Sequence, residues 1–263
     1  MTARHKLPQW AYPLLSILFW IGLWWLIAAI FNKPLLLPTP FEMLQALLVL
    51  AKTGAFYLTV FLSLLRILLG ILLAMVGGAL LALLTVKSKF LHYLLSPLLS
   101  LFKATPVASV IFLLLLWVGR ERVPFVIALI MALPIVWSNV REGLLQTDKR
   151  LLEMAAVFGV PKKRILMSIR LPSLKPYFLA ATRSAIALAW KAGIAAEVLC
   201  TPENSIGRAI YEGKLYLLTD ELFAWTFVVV LISALIEWVA LKLLDKAKGD
   251  VPAAQAPDTE VEQ

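Results

Sequence analysis

Residues 153–172 read EMAAVFGVPKKRILMSIRLP, and they interrupt a chain that is otherwise strongly apolar. Upstream, Asp148 can cap a helix of about two turns that places Leu151, Ala155 and Phe158 along one side. Ala155 and Ala156 are small enough to let another surface come close. Gly159 is a natural helix stop, and Pro161 can open the next helix at its first position. That second helix is expected to run to about Arg170 with Ile165, Leu166 and Ile169 apolar, and Pro172 and Pro176 punctuate the entry into the next apolar stretch. Two short helices around a bend form a compact protrusion, over residues 148–172, that suits a cleft on a partner. The same residues could instead lie flat on anionic lipid, held by Lys162, Lys163 and Arg164. The local pattern alone leaves both readings open.

The surroundings decide the class. Of 263 residues 61% are hydrophobic and 16% charged, against roughly 45–50% and about 25% in soluble domains. A membrane crossing takes about 20 apolar residues in a helix. Six stretches qualify: residues 10–31, 58–86, 92–118, 123–140, 177–199 and 222–241. The fold class expected is an all-α integral membrane protein of six transmembrane helices. Arg4, His5 and Lys6 precede the first stretch, but its apolar run exceeds the ~7–15 residues of a signal-peptide core. It is read as a retained span.

The net charge of +9 reflects orientation rather than nucleic-acid binding, because no basic patch with interleaved aromatics occurs. With the N-terminus inside, fifteen Lys and Arg fall in cytoplasmic segments and six outside. Both termini, and residues 148–172, are therefore expected on the cytoplasmic side of the membrane. On the outer side Thr39, Pro40 and Glu42 form a helix-start pattern. Phe41, Leu44, Leu47, Leu48 and Ala51 follow as the apolar face of a surface helix. Residues 1–248 read as one transmembrane domain, and residues 249–263, acidic and Pro/Ala-rich, as a disordered tail.

Chemistry-bearing motifs are few. The single cysteine, Cys200, excludes an intrachain disulfide. His5 and His92 with no HExxH or CxxC give no metal site. No cluster of histidines and acids suggests catalysis, so the chain is read as a non-enzyme with no catalytic residue. The absence of G-x-x-x-x-G-K-[ST] means that it holds no P-loop for ATP. Energy for any pumping must come from a partner or an ion gradient.

Glu153, Ala155, Gly159, Ile169, Leu171 and Pro172 match the signature E-A-A-x3-G-x9-I-x-L-P of ABC importer permeases at every spacing, with Met154 in place of the first Ala. LLPTPFEML (36–44), SLLRILLGILLAMVGG (63–78), SPLLSLFKATPVASVIFLLLLWVG (96–119) and LPIVWSNVREGL (133–144) resemble the nitrate/sulfonate/taurine type. Lys103 stands where that group often has Arg. The resemblance implies a type I importer permease fold in which residues 153–172 are the coupling helix seated in a groove of a separate ATPase subunit. Glu153, Met154, Ala155, Ala156, Gly159, Ile169, Leu171 and Pro172 would form that joint, with Glu153 making a polar contact and Gly159 the bend. The chain itself would hold no cofactor, since ATP would be used by the ATPase. An extracytoplasmic binding protein would deliver a small anionic solute such as a sulfonate, taurine or nitrate, or a thiamine-precursor pyrimidine. Two ATPases need two coupling loops, so a homodimer is expected.

Charges within the spans are costly, on the order of 2.5–3.5 kcal/mol even on the gentlest scale. Arg183 lies close enough to the inner end of its span to reach the cytoplasm. Arg66, Lys103 and Lys191, with Glu197 and Pro106, are candidates for the translocation path. The competing reading pairs these cations with Glu197 or with carbonyls at helix breaks near Pro106 and Pro134. The rival function is a self-contained secondary transporter or channel, which would need paired broken helices, though the two halves do not look alike, or membrane-embedded coupling carboxylates. Only Glu197 and Glu237 could serve.

Overall fold

A computed structural model describes residues 11–246. The helices in chain order are α1 (Ala11–Phe31), α2 (Pro40–Leu50), α3 (Gly54–Lys87), α4 (Lys89–Ala104), α5 (Val107–Leu115) and α6 (Val123–Leu145). They are followed by α7 (Lys149–Val157), α8 (Lys162–Ile165), a π-helical turn (Leu166–Arg170), α9 (Leu171–Cys200), α10 (Ile206–Leu215) and α11 (Thr219–Lys246). Arg4, His5, Lys6 and the tail at 249–263 lie outside the described residues. Among the described residues every regular element is helical.

Among the described residues four helices are long and apolar enough to cross a membrane: α1, α3, α6 and Thr219–Ala240 of α11. The third expected span, 92–118, is not one straight helix. It is the pair α4 and α5, bent by 104° at residues 105–106. Pro106 has no N–H to donate and drives Thr105 out of the helical region, so the ladder cannot continue. The fifth expected span lies within α9, which is 30 residues long and carries Arg183, Lys191 and Glu197.

Three local expectations are corrected. No break occurs at Pro134, which sits inside the continuous α6; one missing backbone donor is tolerated where neighbouring helices pack. Pro172 and Pro176 do not interrupt the chain either. The π-helical turn Leu166–Arg170 runs straight into α9, because its i→i+5 pairing loosens the backbone just ahead of Pro172. In α2 the predicted start is present in full, with Thr39 accepting from the Glu42 N–H and Glu42 accepting from the Thr39 N–H. Its packed face differs, however. Met43 and Ala46 are buried with Leu47 and Leu50 partly so, while Phe41, Leu44 and Leu48 are exposed. A helix apolar on nearly every side offers two stripes to the same periodicity.

The chain divides into two compact units. The first holds residues up to Gly70, Thr105–Ala128 and Trp190–Ser233. Here Ala224 of α11 packs on Met43 and Ala46 of α2. The Trp24 indole donates to the Pro38 carbonyl at 3.1 Å and stacks on Phe223 with ring centroids 5.8 Å apart. Trp20 and Trp25, its neighbours in the aromatic run, stay exposed on α1. Thr219 donates to the carbonyls of Pro34 and Leu35, tying the start of α11 to the loop before α2. A Cβ on Gly193 would lie 2.7 Å from Ile67 Cγ1, so α9 and α3 meet closely there.

The second unit holds Ile71–Ala104, Leu129–Ala189 and the chain from Ala234. A Cβ on Gly78 would fall 2.8 Å from Val136 Cβ, and one on Gly143 2.8 Å from the Tyr177 side chain. These glycines let α3 approach α6 and α6 approach α9 at backbone distance, as small residues do between membrane helices. The buried Trp137 indole donates to Thr85 at 2.9 Å, and His92 stacks on the same ring at 6.0 Å between centroids.

Candidate functional sites

Within the second unit, residues 148–172 fold much as their sequence demands. Asp148 caps α7 by accepting from the Arg150 N–H at 2.8 Å. The helix closes where Gly159 takes φ +62°. Val160 then donates to the Ala155 carbonyl at 2.9 Å and Gly159 to that of Ala156 at 3.2 Å, which is the Schellman arrangement. Pro161 caps α8 from just outside instead of occupying its first turn. Ala155 is buried, as its small size allows.

The apolar side chains around that bend are the unusual feature. Val157 is 84% exposed and Phe158 77%, with Met154 also open. Glu153 beside them is exposed too. Exposed apolar groups beside a charged segment are compatible with contact to a protein or to a membrane. Below the tip a hollow of about 330 Å³ is lined by Leu152, Ile165, Leu166, Lys162 and Arg170. Ile169 is partly buried and Leu171 exposed. Leu171 and Pro172 turn to a second, larger groove of about 510 Å³.

The first unit contains the densest polar cluster among the described residues. Glu197 of α9 has no exposed surface. Its Oε2 accepts from Ser63 Oγ at 2.8 Å and from the Gly207 N–H at 3.2 Å. Ser63 Oγ accepts in turn from the Ile206 N–H at 2.9 Å. Two of the otherwise orphaned donors at the start of α10 are thus satisfied by α3 and α9, and the positive end of that helix faces a carboxylate. Oε1 has no hydrogen-bond partner but lies 3.8 Å from Arg66 Nη1. Gly207 is required here, since a Cβ would overlap the Cβ and backbone of Glu197.

Arg66, whose side chain is 18% exposed, joins this cluster to two loops. It donates to the carbonyls of Glu203 at 2.8 Å and Asn204 at 3.3 Å, and to Glu121 Oε2 at 3.2 Å. Glu121 also accepts from the Glu203 N–H at 3.0 Å. The loop so held contains Thr201 at φ +47° and Asn204 at φ +46°. The left-handed region is strained for a β-branched residue such as Thr, and it persists where surrounding bonds fix the backbone. On α10 Arg208 pairs with Glu212 at 2.7 Å, and that carboxylate raises the guanidinium above its ordinary range. A polar hollow of about 320 Å³ opens beside it, lined by Thr59, Asn204, Ser205 and Glu212.

Of the five path candidates, the structure brings together Arg66 and Glu197 and leaves the others elsewhere. Lys103 donates to Ser138 Oγ at 3.0 Å in the second unit. Lys191 is exposed on α9, and Pro106 caps α5. Sequence reasoning missed Ser63, Glu121, Glu203 and Gly207. It also missed Ser205, which caps α10 by accepting from the Arg208 N–H at 3.1 Å, although a Ser before an amphipathic run is a local cap signal. The long-range partners carried no local signal.

Comparison with known proteins agrees with this architecture. The chain is 28% identical over 224 residues to a probable ABC transporter permease protein of Haemophilus influenzae, covering 84% of this chain and 90% of that one. It is 24% identical over 247 residues to the taurine transport system permease protein of Escherichia coli, with 87% and 88% covered. Similarity to the nitrate import permease protein of Synechococcus elongatus is 32% over 157 residues, or 59% of this chain and 56% of that one. Residues 67–246 match the family described as binding-protein-dependent transport system inner membrane component. That match takes in the bent α4–α5 pair, the α7–α8 segment and Glu197 with α10, though not Ser63 or Arg66, and the chain is a member of this family of ABC importer permeases, a multi-pass transport protein of the inner membrane.

Proposed function

We propose that this chain forms the translocation path of an ABC importer and transmits ATP hydrolysis by separate ATPase subunits to uptake of a small anionic solute. Residues 148–172 are the transmission joint. Glu153 with Met154, Ala155 and Ala156 meets the ATPase, Gly159 sets the bend, and Ile169, Leu171 and Pro172 carry the motion into α9. The observation that supports this most strongly is the apolar tip formed by Val157 and Phe158 beside Glu153. Exposed apolar surface of this kind suits docking against a protein partner.

Both termini and the joint are placed in the cytoplasm by the Lys and Arg asymmetry. An extracytoplasmic binding protein meets the opposite side, and two copies of the chain supply two joints. In this reading the chain holds no cofactor of its own, and ATP is used by the partner ATPase subunit. Nitrate and the sulfonate group of taurine, for whose transport two relatives are named, favour a solute with an anionic group. Lys103, held by a single hydroxyl, and the exposed Lys191 are the cations left to meet it. Arg66 and Glu197 are committed to one another and to α10, which fits a structural role in the path wall.

Proteoliposomes containing the chain alone, assayed with radiolabelled taurine and nitrate, separate this reading from a secondary transporter or channel. Neither solute is expected to enter without an ATPase subunit and ATP. Uptake by the isolated chain, driven by a gradient, would overturn the proposal.

A further inference from the structure

We propose that the apolar groove of the second unit holds one acyl chain of an anionic phospholipid from the inner leaflet, its headgroup bound by the basic residues around the π-helical turn. The groove has a volume of about 510 Å³ and is walled by Ala79, Val140, Met167, Leu171, Leu174 and Phe178. That size falls within the roughly 300–1,000 Å³ of small-molecule sites. Lys175 is the one charged residue on its wall.

Two observations select the occupant. The first is depth. Ala79 lies seven residues before the inner end of the second span, roughly 10 Å into the hydrocarbon, while Lys175 lies just before the fifth span begins. The groove therefore runs from the headgroup level into the acyl region, given the orientation proposed above. The second is charge. Lys162, Lys163, Arg164 and Arg170 are all exposed on the segment that leads into the groove. None of these four makes an ion pair among the described residues. Basic groups at the cytoplasmic ends of apolar clefts bind anionic headgroups. A zwitterionic lipid would fill the cleft but leave these cations unanswered.

The site would seat a lipid directly on Met167 and Leu171, next to the turn through which the joint enters α9. Its test uses the full chain, purified in mild detergent, delipidated and titrated with phosphatidylglycerol or phosphatidylcholine under native mass spectrometry. Phosphatidylglycerol is expected to be retained about tenfold or more over phosphatidylcholine, from the attraction of several cations. Arg170→Gln with Lys175→Gln should erase most of that preference without touching a buried residue's packing. Ala79→Trp, which fills the cleft, should abolish retention of either lipid.

Equal retention of the two lipids, or wild-type retention by Ala79→Trp, would overturn the proposal. So would disulfide crosslinking of two Met167→Cys chains, which would show a second copy in the groove. Labelling of Lys163→Cys from the outside alone would overturn it by reversing the orientation on which it rests. The coupling reading is tested separately in the same preparation. A chain that retains phosphatidylglycerol but carries no ATPase keeps this site and loses the coupling role. One that carries an ATPase but shows no lipid preference does the reverse.

Discussion

At the scale of single residues, the cluster around Glu197 has the sharpest consequences. Its carboxylate accepts from Ser63 and from the start of α10 while Arg66 lies beside it. Ser63→Ala would leave the buried Ile206 N–H without its partner. A loss of about 1–3 kcal/mol is expected, read as a lower melting temperature in detergent; an unchanged melting point would contradict the cluster's structural role. Gly207→Ala should be worse, because the added methyl meets Glu197 itself, whereas Gly22→Ala and Gly54→Ala open onto free space. Arg66→Gln and Lys103→Gln should part ways. The first removes bonds to Glu121, Glu203 and Asn204 and should lower folded yield. The second frees only Ser138 and should leave stability intact while weakening anion uptake. Ser63, Glu121 and Glu203 were invisible in the sequence, since they meet Arg66 and Glu197 only after the chain has folded. Arg66 and Glu197 stood out because charge in an apolar run is itself a signal.

At the scale of elements, the bend between α7 and α8 rests on one backbone conformation. Gly159 sits at φ +62° with nothing within 4 Å of where a Cβ would point. The penalty for another residue is therefore conformational, about 1–2 kcal/mol for most and less for Asn, which adopts this region readily. Gly159→Asn should keep the joint, and Gly159→Val should lose it, as judged by ATPase co-purification. This bend was legible because Asp148, Gly159 and Pro161 are local stop and start signals. The boundary after it was not. Pro172 and Pro176 carry the same local signature as Pro106, yet the chain breaks only at Pro106 and absorbs the others, with a π-helical turn just ahead of Pro172. Proline states which donor is missing but not whether packing supplies a remedy. The face of α2 failed for a related reason: with apolar residues on most sides, periodicity does not tell a protein neighbour from lipid.

At the scale of the whole molecule, composition and charge asymmetry carried most of the argument. The apolar stretches at residues 10–31, 58–86, 123–140 and 222–241 each fall on a helix long enough to cross. The stretch at 92–118 folds as a bent pair and that at 177–199 as part of a longer, more polar helix. The family match over residues 67–246 fits this layout. The proposed orientation rests on the distribution of Lys and Arg and is checked by impermeant thiol labelling. Lys163→Cys should react from the cytoplasmic side only, and the reverse pattern would invert the assignment of every loop. The sequence contains no G-x-x-x-x-G-K-[ST], and the proposed coupling assigns ATP hydrolysis to a separate subunit. The most direct measurement is therefore ATP hydrolysis in material co-purified with the tagged chain from mild detergent. Activity is predicted with the wild type and with Gly159→Asn, and its loss with Glu153→Lys and Gly159→Val. No hydrolysis with the wild type, or equal hydrolysis in all four, would contradict the account.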